Sequence, residues 1–327
     1  MTKDKESLRI VFFGTPDFAV ESLDRLVKGG YNIVGVVTMP DKTGGRHNRV
    51  IQSAVKLYAT EHGLPLLQPE KLKDPDFVES LRAWRADLQI VIAFRMMPEV
   101  VWAMPPLGTF NLHASLLPRY RGAAPINWAV INGETETGVT TFFLNHTIDT
   151  GDIIGQRRTP IGPTDNAGTV HDRLMTLGAD MVVETVDAIV RGDVKPIPQE
   201  ELLDSGTEPT PAPKIFTETC HINWNRPARE VYNLVRGLSP YPAAWTEIAD
   251  GRGRMFHTKI YTAMPPADET DAHFSAISNN PAAGTLASDG KRLAIACGDC
   301  SWLEIIDLQV AGKRRMPADE FLRGFRL

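Results

Sequence analysis

The chain has 327 residues, 43% hydrophobic and 23% charged, with a formal net charge of −5. That is enough apolar material for two cores, too much for a disordered chain, and too little basic charge to coat nucleic acid over the whole surface. The charged N-terminus shows no secretory or transit pattern and no apolar run approaches the ~20 residues of a membrane span, so a soluble cytoplasmic protein is expected.

Residues 9–13 form an apolar run that ends at Gly14 and read as a buried strand. Thr15 is placed to cap the next helix, Pro16 to take its first position and Asp17 to suit its positive end. Helical spacing then covers 16–28, and Gly29-Gly30 stops it. Residues 33–38 read as a second strand, 50–62 and 74–84 as helices, and 88–94 as a central strand. Further strands are predicted at 109–113 and 139–144. This alternation implies an α/β fold with a doubly wound, mostly parallel, Rossmann-like sheet. GxGxxG is missing after the first strand, so neither a nicotinamide nor a flavin is expected.

A long helix is predicted at 164–191. Residues 193–213 turn polar and proline-rich, the composition of a linker. One helix follows at 227–236, with short strands at 243–248, 255–262, 283–287, 292–297 and 302–309. Short strands after one helix suggest a small OB-like β-barrel. The expected organisation is a first domain at 1–192, a linker at 193–213 and a C-terminal domain at 214–327. The three cysteines, Cys220, Cys297 and Cys300, are too few and odd in number for a disulfide framework. The lone Cys297-Gly-Asp-Cys300 has no second pair or nearby histidine, so it reads as a turn beside a buried strand and no metal site is expected.

The most informative stretch runs from Phe110 to Pro118. On a strand, Phe110 and Leu112 would face one side while Asn111 and His113 project together from the other. Open α/β sheets bind ligands at the carboxyl ends of their strands. An amide that donates to a developing oxyanion, beside an imidazole that exchanges a proton, suits acyl transfer. A carboxylate to orient the imidazole is offered by Asp149 and by Asp152, and spacing does not choose between them.

The run NLHASLLPRYRGAAPINWAVINGETETGVT, followed by DTGDII, resembles the signature of the folate-dependent formyltransferases. FFGTPDFAVESL, PDKTGGR, LPLLQPEKL and the tail LQVAGKRRMPADEFLRG are similar to the members that act on initiator methionyl-tRNA, so the resemblance spans nearly the whole chain. It implies Asn111, His113 and Asp149 as the catalytic residues. It also implies 10-formyltetrahydrofolate as co-substrate, attacked directly by an amine without metal, nicotinamide or flavin. The implied folate pocket involves Phe94, Arg95, Met96 and Met97, with Ser115, Leu116, Leu117 and Pro118; Phe94-Arg95 stands where members often carry Tyr-Gly. The implied tRNA contacts are Lys42, Arg46 and Arg49 in the 41–49 loop, where Thr43, Gly44 and His47 depart from the family pattern, and Lys313, Arg314 and Arg315 near the C-terminus. A monomer working in a bacterial cytoplasm is expected. The alternatives are a formyltransferase for another amine, such as an amino-sugar nucleotide or glycinamide ribonucleotide, a formyl-folate hydrolase, and a non-catalytic RNA-binding protein.

Overall fold

A computed structural model describes residues 4–44, 49–202, 209–279 and 281–325. The chain opens with β1 (Ile10–Gly14), buried along its whole length, and α1 (Asp17–Lys28). Pro16 precedes the first helical turn, and the Thr15 hydroxyl is buried without a partner instead of capping it. The helix ends at Gly29, with Gly30 in the left-handed region at φ +75°.

Next come β2 (Ile33–Val37), the short hairpin of β3 (Lys42–Gly44) and β4 (Arg49–Ile51), and α2 (Ala54–Glu61). The helix expected over 50–62 starts late because the Ser53 hydroxyl accepts from the Lys56 N–H, at 3.0 Å, and fixes the first turn there. Then follow β5 (Leu66–Leu67), α3 (Pro75–Ala83) capped by Asp74, β6 (Leu88–Ile92), α4 (Glu99–Trp102) and β7 (Thr109–His113). The middle of the chain adds β8 (Arg121–Gly122), α5 (Pro125–Ile131), β9 (Glu136–Phe143), β10 (Ile153–Pro160) and α6 (Ala167–Arg191).

The main sheet has the order β10-β9-β7-β6-β1-β2-β5. β1 pairs in parallel with β2 and β6, β2 with β5, and β6 with β7, whereas β9 lies antiparallel to β7. The chain moves outward from β1 to β5 and then returns to β6 on the other side of β1. That reversal is where open α/β sheets form a ligand crevice beyond the strand ends. The segments leaving β6 and β7 are the ones singled out above.

The last third contains β11 (Pro211–Ala212), α7 (Ala228–Leu238), β12 (Ala244–Ala249), β13 (Met255–Ala263) and α8 (Asp268–Ser275). It continues with β14 (Leu286–Ser288), β15 (Leu293–Ala296), β16 (Trp302–Val310), β17 (Met316–Pro317) and α9 (Ala318–Gly324). Strands β12-β13-β16-β15-β14 form an antiparallel half-barrel, with β17 paired to β16. Val231, Val235 and Leu238 recur at helical spacing on α7 and share a core with Ile260, Leu303, Ile305 and Leu308.

The chain divides into two compact units that are not consecutive in sequence. The first takes the chain up to Gly122, Gly138–Thr159 and His171–Pro211. The second takes Ala123–Thr137, Pro160–Val170 and the chain from Ala212 onward. In the second, Asn127 donates to the Gly237 carbonyl at 2.7 Å and the Tyr232 hydroxyl to that of Pro163 at 3.0 Å. The buried Arg236 reaches the carbonyls of Gly162 and Asp165.

Candidate active site

β7 is held on both sides by backbone ladders, Asn111 opposite Val91 on β6 and Phe142 on β9. Phe110 and Leu112 are buried in one face, so Asn111 and His113 share the other. The Asn111 side chain is half-buried and makes no hydrogen bond with any described residue. Its two amide hydrogens are therefore free to meet a ligand. His113 is only 7% exposed and donates from Nε2 to the Tyr120 carbonyl at 2.9 Å. A carbonyl oxygen can only accept, so Nε2 carries a proton and Nδ1 is the nitrogen left for exchange.

Nδ1 lies 3.9 Å from Oδ2 of Asp149. That is ion-pair range and too long for a direct hydrogen bond. The same carboxylate oxygen accepts from the Gly122 N–H at 2.9 Å. Asp149 has φ +55°, a left-handed conformation uncommon for a non-glycine residue, though one that aspartate tolerates better than most. The turn beyond it is tight: a Cβ on Gly151 would fall 1.6 Å from the Phe143 carbonyl oxygen. Asp152 is exposed, so the aspartate facing His113 is Asp149, the choice that spacing left open.

After β6, a cavity of about 550 Å³ is lined by Leu72, Lys73, Arg95, Met96, Met97, Pro98, Glu99 and Val100. Arg95 donates to the carbonyls of Glu70, at 2.7 Å, and Pro69, and burial pushes its guanidinium pKa down. Its Nε is buried with no partner. Met96 is 75% exposed, whereas Met97 is buried. Phe94 packs edge-on to Phe13, with centroids 5.6 Å apart. Neither Phe94 nor any of Ser115, Leu116, Leu117 and Pro118 lines this cavity. Ser115 is fully buried and donates to the Arg119 carbonyl at 2.7 Å. Leu117 packs with Phe142 and Ile153, Pro118 is buried and Leu116 is half-buried.

Residues 8–186 match the family model for formyl transferase, and residues 214–326 match that for the formyl transferase C-terminal domain. This chain belongs to the formyl transferase family. It is 59% identical over 326 residues to a methionyl-tRNA formyltransferase of Bacteroides fragilis, covering 99% of this chain and 97% of the relative. It is 60% identical over 323 residues to one of Parabacteroides distasonis, covering 98% and 97%. Among solved structures, HypX from Aquifex aeolicus in complex with tetrahydrofolic acid has a TM-score of 0.62 at 19% identity, covering 96% of this chain and 47% of that one. This chain thus spans about half the length of HypX. WlaRD, a sugar 3N-formyl transferase, has a TM-score of 0.64 at 19% identity, covering 94% and 99%. Both share the fold.

The basic candidates of this formyl transferase fall in two places. Lys42 is exposed on β3; Arg46 and the Arg49 side chain lie outside the described residues. In the half-barrel unit, Lys313 makes no ion pair with a described residue, Arg314 pairs with Glu320 and Arg315 with Asp307, both at 2.5 Å. Arg315 also lies over the Tyr261 ring, 4.4 Å from its centroid. Lys313 and Arg314 line a groove of about 1170 Å³ with Arg252 and Arg254, two cations that sequence reasoning did not pick out. Cys297 is buried and Cys300 exposed, and burial raises the Cys297 thiol to about 12. No helix among the described residues is long and apolar enough to cross a membrane.

Sequence reasoning also missed the groups that hold the candidate pair: the Tyr120 carbonyl, the Gly122 N–H and the Gln199 side chain. Backbone groups leave no residue-type signal. Gly122 carries a faint one, since its φ of +125° is a conformation reserved for glycine.

Proposed function

We propose that this chain transfers the formyl group of 10-formyltetrahydrofolate to the α-amino group of initiator methionyl-tRNA. The observation that carries this reading is His113 facing Asp149 beside an uncommitted Asn111 amide, on a chain of formyl transferase sequence. The relatives at 59–60% identity, matched over nearly their full lengths, favour methionyl-tRNA as the amine.

10-Formyltetrahydrofolate supplies an activated formyl group. The cavity fits such a ligand: it has the volume of a small-molecule site, with Leu72, Met97, Pro98 and Val100 for a flat apolar body and Lys73 for an anionic tail. Asn111 would donate to the formyl oxygen as negative charge grows on it, and one such donor is worth about 3–4 kcal/mol. As the amine–formyl bond forms, the bond from the formyl carbon to N10 of the folate breaks, and His113, its Nε2 proton kept on the Tyr120 carbonyl, passes a proton at Nδ1 to the leaving N10. Asp149, 3.9 Å from Nδ1, accepts the proton released from the amine, directly or through water, and so balances the one delivered to N10. Holding amine and formyl group together supplies much of the remaining acceleration. In the proposed division of labour, residues 1–192 carry the chemistry, 193–213 connect, and 214–327 grip tRNA through Lys313, Arg314 and Arg315, with Lys42, Arg46 and Arg49 reaching the acceptor end. The enzyme would work as a monomer in the cytoplasm.

The test is incubation with 10-formyltetrahydrofolate and charged initiator tRNA, followed by analysis for formyl-methionine. Parallel reactions offer an amino-sugar nucleotide, glycinamide ribonucleotide or water alone. Formyl-methionine formed well above the other products supports the reading. A faster reaction with any of the other acceptors overturns it.

A further inference from the structure

Gln199 lies in the polar, proline-rich stretch that reads as a connector, yet its side chain is fully buried. Its carbonyl oxygen accepts two bonds from Arg121, from Nε at 3.1 Å and Nη2 at 2.7 Å. Its amide nitrogen donates to the carbonyls of Asp149, at 2.9 Å, and Gly151, at 2.8 Å. Both amide hydrogens and the carbonyl are thus committed, so the group has one orientation. The segment is anchored just before Gln199: Ile197 and Ile153 exchange two backbone bonds, at 2.8 and 2.9 Å.

We propose that Gln199 is a positioning residue for formyl transfer, clamping the Asp149 turn at its distance from His113. The inference rests on the catalytic role given above to Asp149. Three features carry it. Asp149 sits at a positive φ, a less common conformation that its neighbours must hold against the alternatives, and Gln199 bonds the carbonyl of that very residue. Arg121, which orients Gln199, directly precedes Gly122, whose N–H holds the Asp149 carboxylate. The dipeptide therefore fixes the carboxylate by one route and the backbone beneath it by another. Finally, no backbone ladder bonds Asp149 itself, because it lies between β9 and β10. Its position depends on these side-chain bonds, whereas Asn111 and His113 are placed by strand register. A carboxylate at 199 would keep Arg121 but face two carbonyl oxygens, so only an amide satisfies both sides.

The experiment measures kcat and both KM values for methionyl-tRNA formylation in Gln199→Ala, Gln199→Glu, Arg121→Met, Asp149→Asn and the double variants carrying Asp149→Asn. Circular dichroism melts report folding alongside. Misplacing a catalytic group by about 1 Å costs up to ~100-fold in turnover, so kcat of Gln199→Ala and Gln199→Glu should fall ~10- to 100-fold with KM values within ~3-fold. The deciding readout is coupling: Gln199→Ala should cost almost nothing further once Asp149→Asn is present. A purely structural role would multiply the two losses. Full kcat in Gln199→Ala, or multiplied losses in the double variant, overturns the inference. If Gln199→Ala does not fold, Arg121→Met carries the same test, with a smaller fall in kcat that vanishes in the Asp149→Asn background and the same overturning result. Full activity in Asp149→Asn alone would reject the role of Asp149, a failure distinct from that of Gln199.

Discussion

Two histidine–aspartate pairs in this molecule are built differently. In the half-barrel unit, His273 Nε2 lies 2.9 Å from Asp289, and the other oxygen of that carboxylate accepts from the Lys291 and Arg292 N–H groups at 2.9 and 2.7 Å. Those two backbone donors, Arg292 first, hold the Asp289 carboxyl down at about 2, and His273 adds to the effect. In the sheet unit, Asp149 accepts one backbone N–H and stops 3.9 Å short of His113. The first pair is closed by a direct bond. The second keeps unused bonding capacity on both sides and is aligned by neighbours that do not react. A pair already joined directly has little left for a third group; one held slightly apart can exchange a proton with it.

Removing members of the open pair's site should have the largest effect. His113→Ala and Asn111→Ala are each expected to lower kcat by at least ~10²-fold, with tRNA binding by filter retention little changed. Activity within a few-fold of the parent in both would make the contrast meaningless. Next, Gly151→Ala drives a methyl into the Phe143 carbonyl. A loss of roughly 2–4 kcal/mol in urea unfolding is expected, since the neighbour is backbone and cannot swing aside. Smaller is the effect of Arg46→Ala: a ~3- to 10-fold rise in KM for tRNA at moderate salt, with KM for folate unchanged, as for loss of one phosphate contact. Unchanged kinetics would reject that role for the loop.

The closed pair should give the smallest effect. The Asp289 pKa is depressed on folding, so its stabilisation is present above the unfolded value of ~3.9 and is lost as pH falls through about 2. With partners this exposed, the contribution should be under about 1 kcal/mol. Asp289→Asn should remove that part of the pH dependence between pH 4 and 2 and leave turnover at pH 7 unchanged. An equal acid loss in Asp289→Asn would mean the pair does not report its own titration.

The strand half of the candidate site was legible in the sequence because a side-chain period of two is a strong local signal. The expected strand at 109–113 matches β7 residue for residue, and the shared face of Asn111 and His113 follows from it. The short strands of the C-terminal half-barrel were legible as short apolar segments set apart by turn residues. Position 15 was misread because Thr, Pro and Asp in a row fit a cap by type, while burial of the Thr15 hydroxyl is decided by tertiary packing. α5, α8 and α9 went unread, each being eight residues or fewer and too short for apolar periodicity to declare itself. The choice between Asp149 and Asp152 was illegible from spacing alone, since both sit in good turn chemistry. Gln199 was illegible for a deeper reason: its partners lie 48 to 78 positions away, and composition carries no record of such bonds.

The interleaving of the two compact units bears on how this chain could be divided. A single scission anywhere in 193–213 would leave α7 on a C-terminal piece lacking residues 123–137 and 160–170. Arg236 would then keep its bond to Asn233 but lose the carbonyls of Gly162 and Asp165, and Tyr232 that of Pro163. A swap of C-terminal halves between relatives must therefore carry three stretches of sequence to transplant one body.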